Sequence, residues 1–523
     1  MNRMEIRRKQ LTLLLYIPIV VFFLYLPKRI GDNGMAYFAA ALCSVFAAII
    51  PFFAGLTTVV ERLLRPRYSK GQHKNADRIW RCALIYALVA GTACMVLWYG
   101  LGEVWMSYVL KVPHGLLAFR LLVPIVLLAA VAYVLKGYFQ GQGNGMPTVC
   151  FEGICLVSGI VFALFLGNHM QNYGEKVAAL LANHDFKAMY GAAGTALGLM
   201  IGYVFGLAFL LVFRLATKQS RSQRSQGSMK RTESYAGGFR LVFLSFTSYI
   251  LTGILVVLPM LTGLFFYQSK QEDIFQAVRG YGAFVSDYLL WIVLALLPIV
   301  AGGIIFTGQI TTHLKKEEYR QCRDNVQNAV FWLCSVSSLI GILYMTMGEV
   351  LSTNILCTGG LTVLFAALAI CFLQVLWNSG RTIQVYVSLA GGFVMHLAVL
   401  LIGLKPSGDN VSVLSYALIA QTAGCMMISG VALLMRYRFK INWIRCVAFP
   451  LLASAIAGLV MLILKNTLLN VLGKGICIWL CFGVGIAVHI LLILVLRCCR
   501  EQDLREMPGG RIVIRIGKLL RFM

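Results

Sequence analysis

The chain has 523 residues, of which 59% are apolar and only 13% charged, and it carries a net charge of +26. A soluble globular chain is about one quarter charged, so an ordinary soluble domain is excluded. Apolar runs of about 20 residues recur along the whole length, each enough to cross a bilayer core of roughly 30 Å. Lipid leaves the backbone of a spanning segment no partner but itself, so the runs predict helices, and their continuity excludes a strand-built barrel. The expected fold class is an all-α polytopic membrane protein with about 14 transmembrane helices.

The first span, 11–26, is short, contains Pro18 and follows Arg7, Arg8 and Lys9. Those flanks resemble a signal peptide, but "PKRIGDNG" follows in place of a small-residue cleavage site, so the span is read as a retained helix. Spans 2 and 3, at 36–60 and 80–101, enclose a basic loop. Span 4 (117–136) and span 5 (147–167) are joined by "LKGYFQGQGNGMPT", and span 6 covers 190–213. A stretch at 217–238, rich in Ser, Gln and Gly, reads as a flexible cytoplasmic linker. Spans 7 to 14 follow at 240–262, 284–307, 326–347, 357–377, 386–404, 412–434, 446–464 and 476–496. The expected domains are an N-terminal bundle (1–216), the linker (217–238), a C-terminal bundle (239–496) and a basic cytoplasmic tail (497–523).

The excess of positive charge invites a nucleic-acid partner, and its distribution argues against one. With loops assigned alternately from a cytoplasmic N-terminus, 35 of the 46 Lys and Arg fall inside. The acidic residues divide almost evenly, which is the pattern of the positive-inside rule. Both termini are therefore expected in the cytoplasm, with anionic phospholipids as partners of the basic loops. The fifteen cysteines lie mainly inside spans, without zinc-type spacing, and read as small core residues.

The sequence also repeats at an offset of 246 residues. "LWYGLGEVWMSYVL" (97–110) aligns without gaps on "LYMTMGEVLSTNIL" (343–356), and the preceding basic loops align at the same offset. An offset of six spans keeps both copies in one orientation, which predicts two similar bundles with a central cavity, able to rock about a site between them.

The glycine-rich string between spans 4 and 5 tests two readings. A phosphate cradle fails, because the spacing is G-x-G-x-G and no strand–turn–helix unit surrounds it. A tight membrane-surface turn fits: Gly141, Gly143 and Gly145 permit positive φ, Pro147 suits a first helical turn, and Gly137 with Gly141 allows close helix packing. The string further resembles the Arg-Gly-Tyr-Phe-Gln-Gly…Pro-Thr segment of the stage V sporulation protein B and MurJ-type lipid II flippase families. These belong to the multidrug/oligosaccharidyl-lipid/polysaccharide exporter (MOP) superfamily. "IGDNGMAYFAAAL" (30–42), "RYSKGQHKNADRIWRCAL" (67–84), "YGAAGTALGLMIGY" (190–203) and "MPGGRIVIRIGKLL" (507–520) agree in position. The sequence departs from the family along span 5, where Phe151 and Glu152 replace Ser-Gln, Cys155 replaces Glu and Gly159 replaces Arg.

The resemblance implies a non-enzymatic flippase without cofactor, moving a polyprenyl-diphosphate-linked sugar across a bacterial plasma membrane. Its partners would be the lipid-linked anionic oligosaccharide and cell-wall or spore-envelope synthesis enzymes. A cation-coupled drug antiporter and a transport-inactive envelope or spore scaffold are the alternatives. Cations within a membrane protein are costly and mark function, and a guanidinium suits a diphosphate. The candidate substrate contacts are Arg29, Arg381, Arg120, Arg279 and Lys136, with Arg279 expected just before span 8. Glu152 and Asp287, the acids within spans, are the candidate ion-coupling groups.

Overall fold

A computed structural model describes residues 3–217, 233–406, 410–437, 441–468, 473–496, 498 and 510–519. Among them no strand occurs, and fourteen helices are long and apolar enough to cross a membrane. In chain order these are α1 (Ile6–Tyr25), α2 (Pro27–Ser69), α3 (His73–Val109), α4 (Pro113–Gly141), α5 (Met146–Leu181), α6 (Asp185–Ala216) and α7 (Tyr235–Lys270). They continue with α8 (Ile274–Lys315), α9 (Tyr319–Leu351), α10 (Asn354–Asn378), α11 (Thr382–Gly403), α12 (Val411–Tyr437), α13 (Ile444–Leu468) and α14 (Lys474–Val495). Each expected span has its helix. The helices overrun the apolar windows because polar turns at the bilayer surface extend the same backbone ladder. Most of the expected linker and tail lies outside the described residues.

Several helices break where the sequence removes a ladder bond. α1 is interrupted at Leu15–Tyr16, and the following segment, Ile17–Tyr25, carries Pro18 in its first turn. α2 bends twice: at Gly31, whose φ of +73° and ψ of 172° suit glycine alone, and in a π-helical turn at Ile50–Ala54 around Pro51. A π-helical turn also divides α8 at Val285–Leu289. Because α8 begins at Ile274, Arg279 lies in its opening turns and not before it.

The described residues pack as two compact units. One comprises Leu15–Ser286 with Leu404–Gly408; the other comprises Met1–Leu14, Asp287–Gly403 and Asp409–Met523. Within the first, α4 lies close on α2: a Cβ at Gly137 would stand 2.7 Å from the Thr57 carbonyl oxygen. Within the second, a buried network joins α9, α13 and α14. Ser335 Oγ meets His489 Nε2 at 2.9 Å, Ser454 Oγ meets Nδ1 at 3.2 Å, and Ser338 Oγ meets Ser454 Oγ at 2.7 Å. An apolar cluster of Leu343, Met347, Ala457, Met461, Cys477 and Cys481 occupies the same three helices.

Candidate functional site

The turn between α4 and α5 builds the most unusual group of side chains. Of its three glycines only Gly143 has positive φ, at +82°; Gly141 ends α4 and Gly145 caps α5 in ordinary helical geometry. Pro147 opens α5 as expected. The hairpin is centred on Asn144, and two pairs of residues equidistant from it lie on the facing sides of its helices. Gln140 Nε2 donates to Thr148 Oγ1 at 3.1 Å on one rung. One turn further in, the Lys136 ammonium pairs with the Glu152 carboxylate.

Both partners are buried, Lys136 being 7% and Glu152 5% exposed. The second Glu152 oxygen accepts a 2.8 Å hydrogen bond from the Tyr16 hydroxyl, at the break in α1. The Lys136 ammonium also lies 4.7 Å from the Tyr133 ring centre and 5.3 Å from that of Phe151. Ring faces attract an ammonium by their quadrupole, most strongly where water is excluded. A predicted substrate cation and a predicted coupling acid thus satisfy each other inside one unit.

Arg29 and Arg279 meet elsewhere in the same unit. They line an open cavity of about 450 Å3 with Asp32, Asn33, Gln171, His184, Asp185 and Lys187. Arg29 donates to Asn168 Oδ1, and its guanidinium lies 5.7 Å from the Tyr25 ring centre. Arg279 Nε stands 3.8 Å from Asp32 Oδ2, Lys187 Nζ is 3.0 Å from Glu175 Oε1, and Asn33 donates to Asp185 Oδ1 at 3.1 Å. Sequence separation hid this gathering, and no motif announced Lys187, Asp185 or Gln171.

The other candidates stand in simpler surroundings. Arg120 does not line that cavity; its Nη2 is 3.8 Å from Glu103 Oε2, and its guanidinium is 5.7 Å from the Tyr99 ring centre. Arg381 is exposed in the turn that joins α10 to α11. Asp287, half-buried, belongs to the π-helical turn of α8, well inside the helix and not near its beginning. Among the described residues no group of three or more His, Cys, Asp or Glu is arranged to hold a metal ion.

No family model and no curated protein matches the sequence. Solved structures do match. An inward-facing multidrug resistance MATE family transporter of the MOP superfamily overlays with a TM-score of 0.62 at 14% identity, covering 81% of this chain and 94% of that one. The lipid II flippase MurJ, in an inward closed conformation, overlays at 0.60 and 14% identity, covering 92% of this chain and 98% of that one. A MOP superfamily transporter from Pyrococcus furiosus overlays at 0.55 and 13% identity over 82% and 95%. The chain shares the fold of these three structures.

On that fold the departures along α5 have a physical cause. Cys155, Gly159, Ala163 and Gly167 recur every fourth residue and face Gly206, Gly202, Gly198 and Gly194 of α6. A Cβ at Gly198 would stand 2.2 Å from the Ala163 nitrogen, at Gly202 2.6 Å from the Cys155 carbonyl oxygen, and at Gly194 2.5 Å from the Leu166 carbonyl oxygen. The two helices therefore lie in close contact along about three turns, a small-residue seam of the kind lipid-embedded helices use. A side chain longer than that of Cys155 would press on Gly206, where an added Cβ would already stand 2.1 Å from the Cys155 sulfur.

Proposed function

We propose that this chain is a flippase that carries a polyprenyl-diphosphate-linked sugar, a lipid II or polysaccharide precursor, across a bacterial plasma membrane by alternating access. The observation that carries the proposal is the polar cavity of Arg29, Arg279 and Lys187 on an otherwise apolar fold. Paired guanidinium donors suit a diphosphate, and the Asn33 and Gln171 amides with the Asp32 and Asp185 carboxylates suit sugar hydroxyls. The lipid tail needs no pocket, since it can stay in the bilayer while the head group crosses. Breadth of overlay supports the same reading: the lipid II flippase covers 92% of this chain, against 81% and 85% for two MATE transporters.

In the orientation set by the positive-inside rule, both termini are cytoplasmic and the cavity faces outward. Moving a net negative head group outward then gains roughly 2.3 kcal/mol per charge per 100 mV of inside-negative potential, so no nucleotide is needed. Arg381 and Arg120 are assigned to the path of the diphosphate on the same chemical grounds, and Asp287 to cation coupling. A transport-inactive scaffold is the second reading, and the glycine seam that replaces the family's α5 charges favours it.

The test is complementation. A bacterium depleted of its own lipid II flippases would express this chain, and lipid II accessible from outside would be measured. The proposal expects rescue that Arg29→Glu and Arg279→Glu abolish; correctly inserted protein without rescue would point to a different lipid-linked sugar or to the scaffold.

A further inference from the structure

The Lys136–Glu152 pair is expensive to keep. Two charges removed from water repay their desolvation only with close geometry, and an apolar pair of similar volume holds a hairpin at least as well. Charged residues inside a membrane protein are functional candidates for that reason. The surroundings of the two charges are also unequal. The ammonium has a second source of stabilisation in the Tyr133 and Phe151 ring faces. The carboxylate has the Tyr16 hydroxyl, which donates to a carboxylate and accepts from a carboxylic acid equally well. Glu152 can therefore become neutral in place without leaving an unsatisfied charge, whereas Lys136 needs an anion.

We propose that this pair is an exchangeable counter-ion site, in which a phosphate oxygen of the lipid-linked substrate replaces the Glu152 carboxylate on the Lys136 ammonium while Glu152 takes up a proton. The inference rests on the flippase reading and adds to it the mode of substrate capture. Charge balances: the pair is neutral, the phosphate brings one negative charge and the proton one positive. The titratable groups that face the pair are Tyr16 from α1, Tyr133 from α4, Cys155 from α5 and Tyr203 from α6. Tyrosine and cysteine are ordinarily neutral at pH 7, so Glu152 is the group that can accept the proton.

The experiment uses the full chain in nanodiscs of zwitterionic lipid, with geranylgeranyl diphosphate as the probe. Calorimetric titration in two buffers of different ionisation heat counts protons. Wild type is expected to take up about one proton per ligand more than E152Q does, and to bind more weakly as pH rises, by up to about tenfold per unit. E152Q should bind with pH dependence reduced to that of the ligand itself, and K136Q should lose at least about tenfold in affinity. The double variant K136Q/E152Q, which leaves no charge unpaired, controls for folding and should show the K136Q loss without the extra proton. Equal proton uptake in wild type and E152Q overturns the inference, as does undiminished binding by both K136Q and the double variant. In either case a wild type that still binds the probe leaves the flippase reading standing. A folded wild type that binds no prenyl diphosphate overturns both.

Discussion

The two units keep different polar groups in their interiors, and the contrast separates packing from function. In the unit containing α9, α13 and α14, His489 shares its ring nitrogens with two serines, and no formal charge is involved. Such hydrogen bonds between membrane helices are worth about 0.6 kcal/mol each on average, and they act as glue. In the unit containing α4 and α5, the interior holds an ammonium, a carboxylate and three tyrosine or phenylalanine side chains in contact with them. Glue does not require charge. Both groups are buried and hydrogen-bonded, so burial alone does not mark a site; formal charge in lipid surroundings does.

Mutations sharpen that contrast in order of size. Removing the anion of the charged pair, as Glu152→Ala, strands the buried Lys136 ammonium and should cost about 3–5 kcal/mol, whereas Lys136→Ala leaves a carboxylate that can take up a proton and should cost less. Thermal unfolding in detergent measures this, and the double replacement Lys136→Met with Glu152→Leu should recover most of the loss. Wedging the α5–α6 seam by Gly198→Leu meets backbone at the Ala163 nitrogen, and overpacking of this kind costs about 1–3 kcal/mol or more. Retained folding of that variant by size-exclusion chromatography, at unchanged melting temperature, would show that the seam can open. Ser335→Ala combined with Ser454→Ala should cost about 1 kcal/mol and leave transport unchanged. Smallest of all, Arg120→Ala at its partly exposed pair with Glu103 should cost at most about 1 kcal/mol.

How far the sequence alone reaches differs from feature to feature. The spans were legible because about 20 apolar residues have few other solutions in lipid. Their ends were not, since a helix continues through polar turns; this is why Arg279 belongs to α8 and why Asp287 lies deep in it. The Lys136–Glu152 pair was legible in principle, because both residues are equidistant from Asn144, on which the tight hairpin is centred. Tyr16 carried only the weaker signal of Pro18 two residues on. The meeting of Arg29 with Arg279 depends on the packing of α2 and α8, which no local pattern encodes. Glycine content foretold close packing at Gly137 but overstated the turn, where one positive φ at Gly143 suffices.

The central claim is transport of a diphosphate-linked lipid, and reconstitution tests it most directly. Purified protein would be placed in liposomes carrying a polyprenyl-diphosphate sugar with a nitrobenzoxadiazole label on the sugar, and an impermeant reductant would be added outside. Protein-free vesicles lose only the outer-leaflet signal. The account predicts that the wild-type protein exposes the inner pool as well, and that Arg29→Glu and Arg279→Glu do not. Inner-leaflet fluorescence that stays protected with folded wild-type protein, with or without an imposed potential, would contradict it.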